Sequence, residues 1–459
     1  KTELVAAMAS KADLSKKDEQ FREFSLNGPM WRVVLYVGFP LALYESLNQL
    51  FKILDTMMAS HIGASAVSAV AYLSQINMMI SAVGTGLAVG ASIKVSQAYG
   101  AGDFMLVKKR VSTMFAMCGA LGIAILLVLV PFTPEFLRLM NTPEEFIADG
   151  STYFRLELFG MVITFFNNVY IAIERARGNS KRILILNTAV IVVKLGLTAW
   201  FVYGLGGGIN MISCATIISQ SFLLLAACIN MNQKGNAFGF SLRAISIKKE
   251  VICPMLTLSF PVIVERIAFA VGKVIVNSMS TVYGSWTVGA LGISNNIGGI
   301  TTNPQNGFQE GGSSIISQNL GAGRPKRALL AFRWVIYIDM LIGLVIMTAS
   351  LLCLNQLAGL FAGDNAEFAG MIKQIYRFEA VGAIPLGVNA AVMALLYGFG
   401  KTRVTLVMNF CRVFLFRVPV LWALQQFTDL GNVSAGIVMA VSNVASGVLA
   451  AVVGVIEIR

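Results

Sequence analysis

Twelve long apolar runs constrain the fold of this chain more than any other feature of its sequence. A bilayer core of about 30 Å is crossed by a helix of about 20 apolar residues. With 56% apolar and only 13% charged residues, the 459-residue chain has too few polar side chains to cover a soluble surface. We therefore predict an all-α integral membrane protein with twelve transmembrane helices. The runs lie near residues 33–54, 66–92, 110–131, 153–174, 183–203, 209–230, 255–281, 287–316, 329–354, 377–399, 404–425 and 434–456.

Lys and Arg are distributed unevenly between the loops. If the N-terminus is cytoplasmic, 25 of the 35 basic residues lie in cytoplasmic segments and 4 in outer loops. Positively charged loops stay in the cytoplasm, so this orientation is favoured. Residues 1–31 lack the short apolar core of a signal peptide, and we expect them to form a cytoplasmic tail. The basic residues are spread over seven segments, so nucleic-acid binding is not expected.

Two kinds of chemistry are disfavoured by the motifs that the chain lacks. The six cysteines show no CxxC spacing and His61 is the single histidine, so no metal site is expected. Gly400, Lys401 and Thr402 resemble the end of a phosphate-binding loop. Leu395 stands where that loop needs glycine, so we expect no ATP binding.

The chain contains an internal repeat. A shift of 221 residues superposes 40–103 on 261–324 without a gap, and the match continues farther along with a shift of 222. Each copy holds six predicted helices, so both copies enter the membrane from the cytoplasm and the repeats are parallel, as in many carriers. We predict a tail at 1–31, an N-lobe at 32–232, a linker at 233–250 and a C-lobe at 251–459. Matched positions include Pro40 and Pro261, Glu157 and Glu379, Asn167 and Asn389, Gly178 and Gly400, and Asn187 and Asn409.

A repeated loop, SQAYGAGD at 96–103 and SQNLGAGR at 317–324, ends the second helix of each copy. Glycine allows the positive-φ cap and sharp reversal that a short loop needs, so a structural role is predicted. Four further motifs accompany this doubled loop: Pro40 with the LDT run at 54–56, RARGNSK at 175–181, FVYG at 201–204 and LYGFGKT at 396–402. In these motifs the chain resembles the MATE (multidrug and toxic compound extrusion) family.

This resemblance covers essentially the whole chain after the tail. It implies two six-helix lobes around a V-shaped central cavity and export driven by inward flow of H⁺ or Na⁺, without another cofactor. It also implies a bacterial inner (plasma) membrane location. In the family, the aspartate that matches Asp55 is a cation-coupling residue of the N-lobe.

Ionisable residues inside the membrane are the main candidates for function, because each costs about 2.5–3.5 kcal/mol to insert and usually faces a cavity or a partner. Our candidate cation-coupling residues are Asp55, Lys194, Glu265 and Glu310. Our candidate cavity or substrate residues are Glu45, Lys52, Asn167, Arg266, Lys273, Asn389 and Arg412.

Asp55 shares a helix face with Lys52 and Glu45, and a desolvated carboxylate there is able to exchange a proton. The alternative is a permanent ion pair with Lys52 or Lys194. Lys194 departs from the family, whose members typically have a coupling-site asparagine there. A lysine that replaces the bound cation favours H⁺ over Na⁺.

The other candidates lie mostly in the second copy. Glu265 follows Pro261 by four residues and partly matches a glutamate of some family branches. Glu310 is flanked by small residues, and we weigh a cavity-lining role against structural pairing with a cation. Asn167 and Asn389 are predicted mainly to form interhelical amide bonds. Glu157 and Glu379 are predicted to begin helices at the outer face.

Two functions remain open from sequence. The first is an antiporter that exports cationic or amphipathic drugs and toxins in exchange for H⁺ or Na⁺ through rocking of the two lobes. The alternative is a flippase or exporter of a lipid-linked precursor or an anionic metabolite. Six cations in the predicted spans favour it if they line the cavity unpaired: Lys52, Lys194, Arg266, Lys273, Arg412 and Arg417. A channel and an enzyme are disfavoured. We expect a monomer whose partners are the lipid bilayer and a small-molecule substrate.

Overall fold

The computed structural model describes residues 15–60, 64–139, 144–233, 236–363 and 365–458. Side chains are described throughout these ranges except at 52–60, 64–72, 75, 144–146, 148–149 and 285. Within these ranges all regular secondary structure is helical. The prediction of an all-α protein is therefore confirmed.

Eight α-helices precede residue 240 within the described ranges. They are α1 (Lys16–Asn27), α2 (Met30–Ser60), α3 (Ala64–Ala101), α4 (Phe104–Leu129), α5 (Thr133–Leu139), α6 (Glu144–Ala176), α7 (Ser180–Ala199) and α8 (Ile209–Met231). A π-helical turn, Trp200–Gly204, extends α7, and a 3₁₀ turn, Leu242–Ala244, follows α8.

Nine α-helices follow in the described part of the chain after residue 240. They are α9 (Lys249–Ser280), α10 (Ser285–Gly321), α11 (Pro325–Leu352), α12 (Leu354–Ala362), α13 (Ala366–Ala380), α14 (Ala383–Gly398), α15 (Thr402–Phe410), α16 (Val418–Phe427) and α17 (Val433–Ile458). A 3₁₀ turn, Thr281–Tyr283, follows α9, and a π-helical turn, Cys411–Leu415, joins α15 to α16.

Most of the predicted membrane spans appear as single helices. Among the described residues, nine helical segments are long and apolar enough to cross a membrane, and α13 with α14, bent by 50°, forms a tenth. The helices α2 and α10, with 31 and 37 residues, are also long enough, but polar residues interrupt their apolar sequence. Counting these two, the arrangement agrees with the predicted twelve transmembrane helices.

The helices group into two compact units that are not continuous in sequence. The first unit holds residues up to 28, residues 50–263 and residues 317–323, and the second holds the rest. The beginning of α2 therefore packs within the second unit, where Gln49 Nε2 donates to the Asn296 carbonyl at 3.3 Å and the Asn303 amide donates to Gln49 Oε1 at 3.1 Å. The beginning of α9 packs within the first unit, where Ser259 Oγ donates to the Leu87 carbonyl at 3.2 Å. The predicted lobe boundaries follow the repeat in the sequence, and they stay a prediction.

The repeated glycine loop explains how the ends of α3 and α10 meet in the first unit. Gly102 and Gly323 have φ angles of 81° and 71°, as predicted for residues that end a helix in the left-handed region. Gly100 and Gly321 have another role. A Cβ at Gly100 would lie 1.9 Å from the Gln318 carbonyl oxygen, and a Cβ at Gly321 would lie 2.0 Å from that of Gln97. The two copies of the motif therefore contact each other reciprocally through bare backbone.

Replacement of Gly100 with alanine is expected to destabilise the protein by about 1–3 kcal/mol, because the added methyl group overlaps backbone that cannot rotate away. The thermal unfolding midpoint in detergent measures this effect. Gly196→Ala is the matched control, because a Cβ there meets nothing within 4 Å. Equal midpoints for the two variants would contradict the close contact.

The helix α1 docks on the first unit through a buried ion pair. Arg177 donates from Nε to Asp18 Oδ1 at 3.0 Å and from Nη2 to Asp18 Oδ2 at 2.7 Å. Arg177 Nη1 also donates to Glu174 Oε1 at 3.0 Å. Burial lowers the pKa of the Arg177 guanidinium, but the two carboxylates raise it by more, so the group stays charged. The predicted tail thus contains a helix held by a charge network.

Other residues of α1 contact the repeated loops. Arg22 donates to the carbonyls of Tyr99 at 3.0 Å and Gly100 at 2.8 Å. Ser25 Oγ donates to Gln318 Oε1 at 2.8 Å, at the end of α10. The helix therefore joins the ends of α3 and α10.

Candidate functional site

A buried carboxylate, Glu265, forms the best-defined polar site of the second unit. Its side chain accepts hydrogen bonds from Tyr397 Oη at 2.7 Å, Asn409 Nδ2 at 2.6 Å and Thr405 Oγ1 at 2.7 Å. The residue is 5% exposed. All three partners are neutral, so they hold the carboxylate without a fixed ion pair.

The helices place these four groups for local reasons. Thr405 and Asn409 are four residues apart on α15, so both project from one face toward α9. Tyr397 lies at the end of α14, just before Gly400, whose φ of 74° ends that helix and turns the chain into α15. The motif LYGFGKT thus supplies both the tyrosine and the turn that brings α15 back over Glu265.

Three more of the predicted residues lie near Glu265 in the second unit. The guanidinium of Arg266 interacts electrostatically with the carboxylates of Glu265, Glu310 and Glu45. Arg266, Glu310 and Glu45 are all half-buried, whereas Glu265 is buried. The structure therefore brings together Glu45, Glu265, Arg266 and Glu310 as one charged cluster, which we call the acid cluster.

A second cluster of opposite charge lies in the same unit around the ring of Phe269. Lys273 Nζ lies 5.5 Å from the ring centroid, and the Cζ atoms of Arg412 and Arg417 lie 5.5 Å and 5.9 Å from it. The carboxylate of Glu379 interacts electrostatically with all three cations and accepts a hydrogen bond from Ser294. We call Lys273, Arg412, Arg417 and Phe269 the cation cluster.

The first unit holds the remaining predicted residues except Asn389. Lys194 lies half-buried on α7. The side chains of Asp55 and Lys52 lie outside the described residues, so the role of Asp55 and its pairing with Lys194 stay predictions. Asn167 donates to Gln220 Oε1 at 2.7 Å and so links α6 to α8 in the way expected of an interhelical amide. Asn389, its counterpart in the second unit, is buried on α14.

Known proteins share both sequence features and the fold of this chain. A sequence model of the MatE family matches the chain twice, over residues 40–200 and 261–423. The two matches begin at the prolines that the internal repeat superposes, and together they cover more than half of the chain. The chain belongs to the MATE family. The resemblance found in the sequence is therefore confirmed, and so is the repeat of this MATE protein.

Relatives of this MATE protein share its length at low identity. The probable multidrug resistance protein YoeA of Bacillus subtilis (strain 168) is 24% identical over 409 residues, which cover 87% of this chain and 88% of that protein. The multidrug export protein MepA of Staphylococcus aureus (strain NCTC 8325 / PS 47) is 23% identical over 414 residues, which cover 86% and 90%.

Solved structures of MATE transporters match the fold over nearly the whole chain. A crystal structure of MATE in complex with MaL6 gives a TM-score of 0.91 at 21% identity and covers 97% of this chain and 98% of that chain. The outward-facing conformation of a multidrug resistance MATE family transporter gives 0.90 at 21% identity with the same coverage. At this identity the likeness establishes the fold, and it agrees with twelve helices in two lobes.

Two residues of this MATE protein do not lie at the helix beginnings predicted for them. Glu157 and Glu379 were expected to begin helices, but Glu157 lies inside α6 and Glu379 is the second-last residue of α13. The apolar runs did not indicate these positions, because α6 begins well before its apolar run and α13 is a separate helix that is bent against α14. Glu379 consequently lies beside the cation cluster instead of capping a helix N-terminus.

Two further residues of the MATE fold were not among the predicted site residues. Arg417 is only 5% exposed and is part of the cation cluster. Asp339 on α11 is fully buried, and both its carboxyl oxygens lack a hydrogen-bond partner among the described residues. The available signal was the same for both: a charged residue inside an apolar run.

Proposed function

We propose that the chain is a secondary active antiporter that exports small amphipathic organic compounds from the cytoplasm in exchange for H⁺ or Na⁺. Membership of the MATE family supports export, and the names of the relatives describe multidrug resistance and export. The proposal includes alternating access by rocking lobes. It also includes a monomer in the bacterial inner membrane with a cytoplasmic N-terminus, and no use of ATP or nucleic acid.

The main observation in support of ion coupling is the hydrogen-bonded carboxylate of Glu265. A carboxylate at bilayer depth that is held by three neutral donors keeps its position in both the charged and the protonated form, since the protonated acid still accepts hydrogen bonds. A carboxylate fixed by an ion pair would lose its partner on protonation. Glu265 is therefore suited to bind and release a cation during a transport cycle. Asp55 is the proposed coupling residue of the first copy.

A second candidate function is export or flipping of a substrate with an anionic group, such as a lipid-linked precursor or an anionic metabolite. The cation cluster supports it, because Arg412 and Arg417 donate hydrogen bonds to the neutral residues Asn443 and Ser442. An organic cation would be repelled by this part of the second unit.

Transport by proteoliposomes under separately imposed proton and sodium gradients tests ion coupling. We expect one gradient to drive uptake of an amphipathic probe, and Asp55→Asn to remove that gradient-driven component. Glu250→Gln is the matched control, since Glu250 is exposed at the beginning of α9. Unchanged gradient-driven transport by Asp55→Asn would remove Asp55 from the mechanism.

The same preparation tests the choice of ion. The sequence predicts that Lys194 lies beside Asp55 and takes the place of a bound cation, so we expect the proton gradient to be the effective one. Sodium-dependent, proton-independent uptake that is lost in Lys194→Ala would contradict this expectation.

A further inference from the structure

The cation cluster of the second unit has the chemistry of a binding site for an oxyanion. Three cations surround one aromatic ring, and Glu379 is the carboxylate that interacts with all of them. Excess positive charge inside a bilayer is costly unless a partner neutralises it. Glu379 therefore supplies one negative charge that is shared by three cations.

A local break in helical geometry brings the two arginines together. On a regular α-helix, residues five apart point about 140° away from each other. Between α15 and α16 the helix widens into a π turn, in which the Phe416 amide donates to the Cys411 carbonyl at 2.9 Å, five residues back. Arg412 and Arg417 consequently point in similar directions.

Both guanidinium groups converge on a single amide oxygen of α17. Arg412 Nη2 and Arg417 Nη2 each donate to Asn443 Oδ1 at 3.2 Å. Gly382 makes room for Asn443, since a Cβ at position 382 would lie 2.4 Å from Asn443 Cβ. One neutral oxygen shared by two arginines leaves most of their donors available. The Nε of Arg412 is buried and has no hydrogen-bond partner among the described residues.

The cluster also has an accessible side and an apolar surface. Lys273 is exposed and Arg412 is half-buried, whereas Arg417 is buried. The half-buried ring of Phe269 lies among the three cations. Paired guanidinium groups are suited to bidentate binding of carboxylate and phosphate, and the ring offers contact to an adjacent apolar group.

We propose that Arg412, Arg417 and Lys273 bind the phosphate or carboxylate head of an amphipathic molecule, with Phe269 against its apolar part. As a substrate site, the cation cluster rests on the proposed export function, and it favours the second candidate, export or flipping of a substrate with an anionic group. Binding itself needs no ion gradient, so it is measured separately from transport.

The test is titration of the purified protein, in nanodiscs of phosphatidylcholine, with dodecyl phosphate and with dodecyltrimethylammonium. We expect the phosphate to bind more tightly than the ammonium. Arg417→Gln and Arg412→Gln should each weaken phosphate binding by about tenfold, the effect of losing one charge-assisted hydrogen bond. Arg403→Gln is the matched control, because Arg403 is exposed on α15 and should bind like the wild type.

Two further measurements keep this result interpretable. Arg417→Lys retains the charge but loses the planar fork, so intermediate affinity is expected, and thermal unfolding of each variant shows whether it is folded. Discs that contain phosphatidylglycerol separate the possible sources of the oxyanion. Weaker dodecyl phosphate binding there would assign the site to lipid head groups, and unchanged binding would assign it to a substrate.

The proposal fails if folded Arg412→Gln and Arg417→Gln bind dodecyl phosphate as tightly as Arg403→Gln. It also fails if dodecyltrimethylammonium binds as tightly as the phosphate. Failure of gradient-driven transport alongside intact phosphate binding would overturn the antiport function and leave the oxyanion site standing.

Discussion

Glu265→Gln is expected to reduce gradient-driven uptake in proteoliposomes to the level of empty liposomes while the protein stays folded. The amide has nearly the shape of the carboxylate. The amide oxygen can accept hydrogen bonds from Tyr397 and Asn409, and the amide nitrogen can donate to Thr405 Oγ1. The hydroxyl of Thr405 can then donate to the Thr402 carbonyl, which lies 2.9 Å away. Every hydrogen bond of the site therefore has a replacement, but the amide cannot exchange a proton or carry negative charge for Na⁺.

A second substitution at the same position separates coupling from structure. Glu265→Ala leaves Tyr397 and Asn409 without their acceptor, and buried unsatisfied groups cost about 1–3 kcal/mol each. We expect that variant to have a lower unfolding midpoint, whereas Glu265→Gln should unfold close to the wild type. If Glu265→Gln kept gradient-driven uptake equal to Glu250→Gln, Glu265 would be a structural residue.

Asp18→Ala should lower the stability of the protein by about 3–5 kcal/mol, because it leaves the buried Arg177 with only part of its negative partners. Both residues are less than 10% exposed, so water cannot replace the lost carboxylate. The expected change is a lower unfolding midpoint in detergent and faster trypsin cleavage at Arg22, which α1 holds against Tyr99 and Gly100.

Glu19→Ala is the matched control for this prediction, since Glu19 is the exposed neighbour of Asp18 on the same helix. It should change the free energy of unfolding by less than about 0.5 kcal/mol and so leave the unfolding midpoint close to that of the wild type. Equal effects of the two substitutions would show that α1 is held by its general charge and not by the Asp18–Arg177 pair.

The fold was largely predictable from the sequence because apolar length and glycine geometry are local properties. The doubled loop predicted a left-handed glycine at the end of each helix, and Gly102 and Gly323 have that conformation. The second role of the motif was not predictable. That Gly100 lies against Gln318 depends on where two distant helix ends meet, which no local pattern states.

The candidate sites were predictable as residue types but not as groupings. Intramembrane charge drew attention to Glu265, Arg266 and Arg412, yet the partners of Glu265 are an ordinary tyrosine, threonine and asparagine. Regular 3.6-residue periodicity also places Arg412 and Arg417 on different faces. Their convergence depends on the π turn at 411–415, which sequence periodicity does not reveal.

The reciprocal contact of Gly100 with Gln318 and of Gly321 with Gln97 restricts which substitutions either copy of the repeat can accept. A side chain gained at one glycine collides with the opposite copy, so neither loop can change independently. Positions without such a cross-contact are free of this restraint, and there one copy can hold an acid such as Glu265 while its counterpart is Tyr44. Duplicated helices can thus differ in chemistry while both copies keep glycine at the point where they touch.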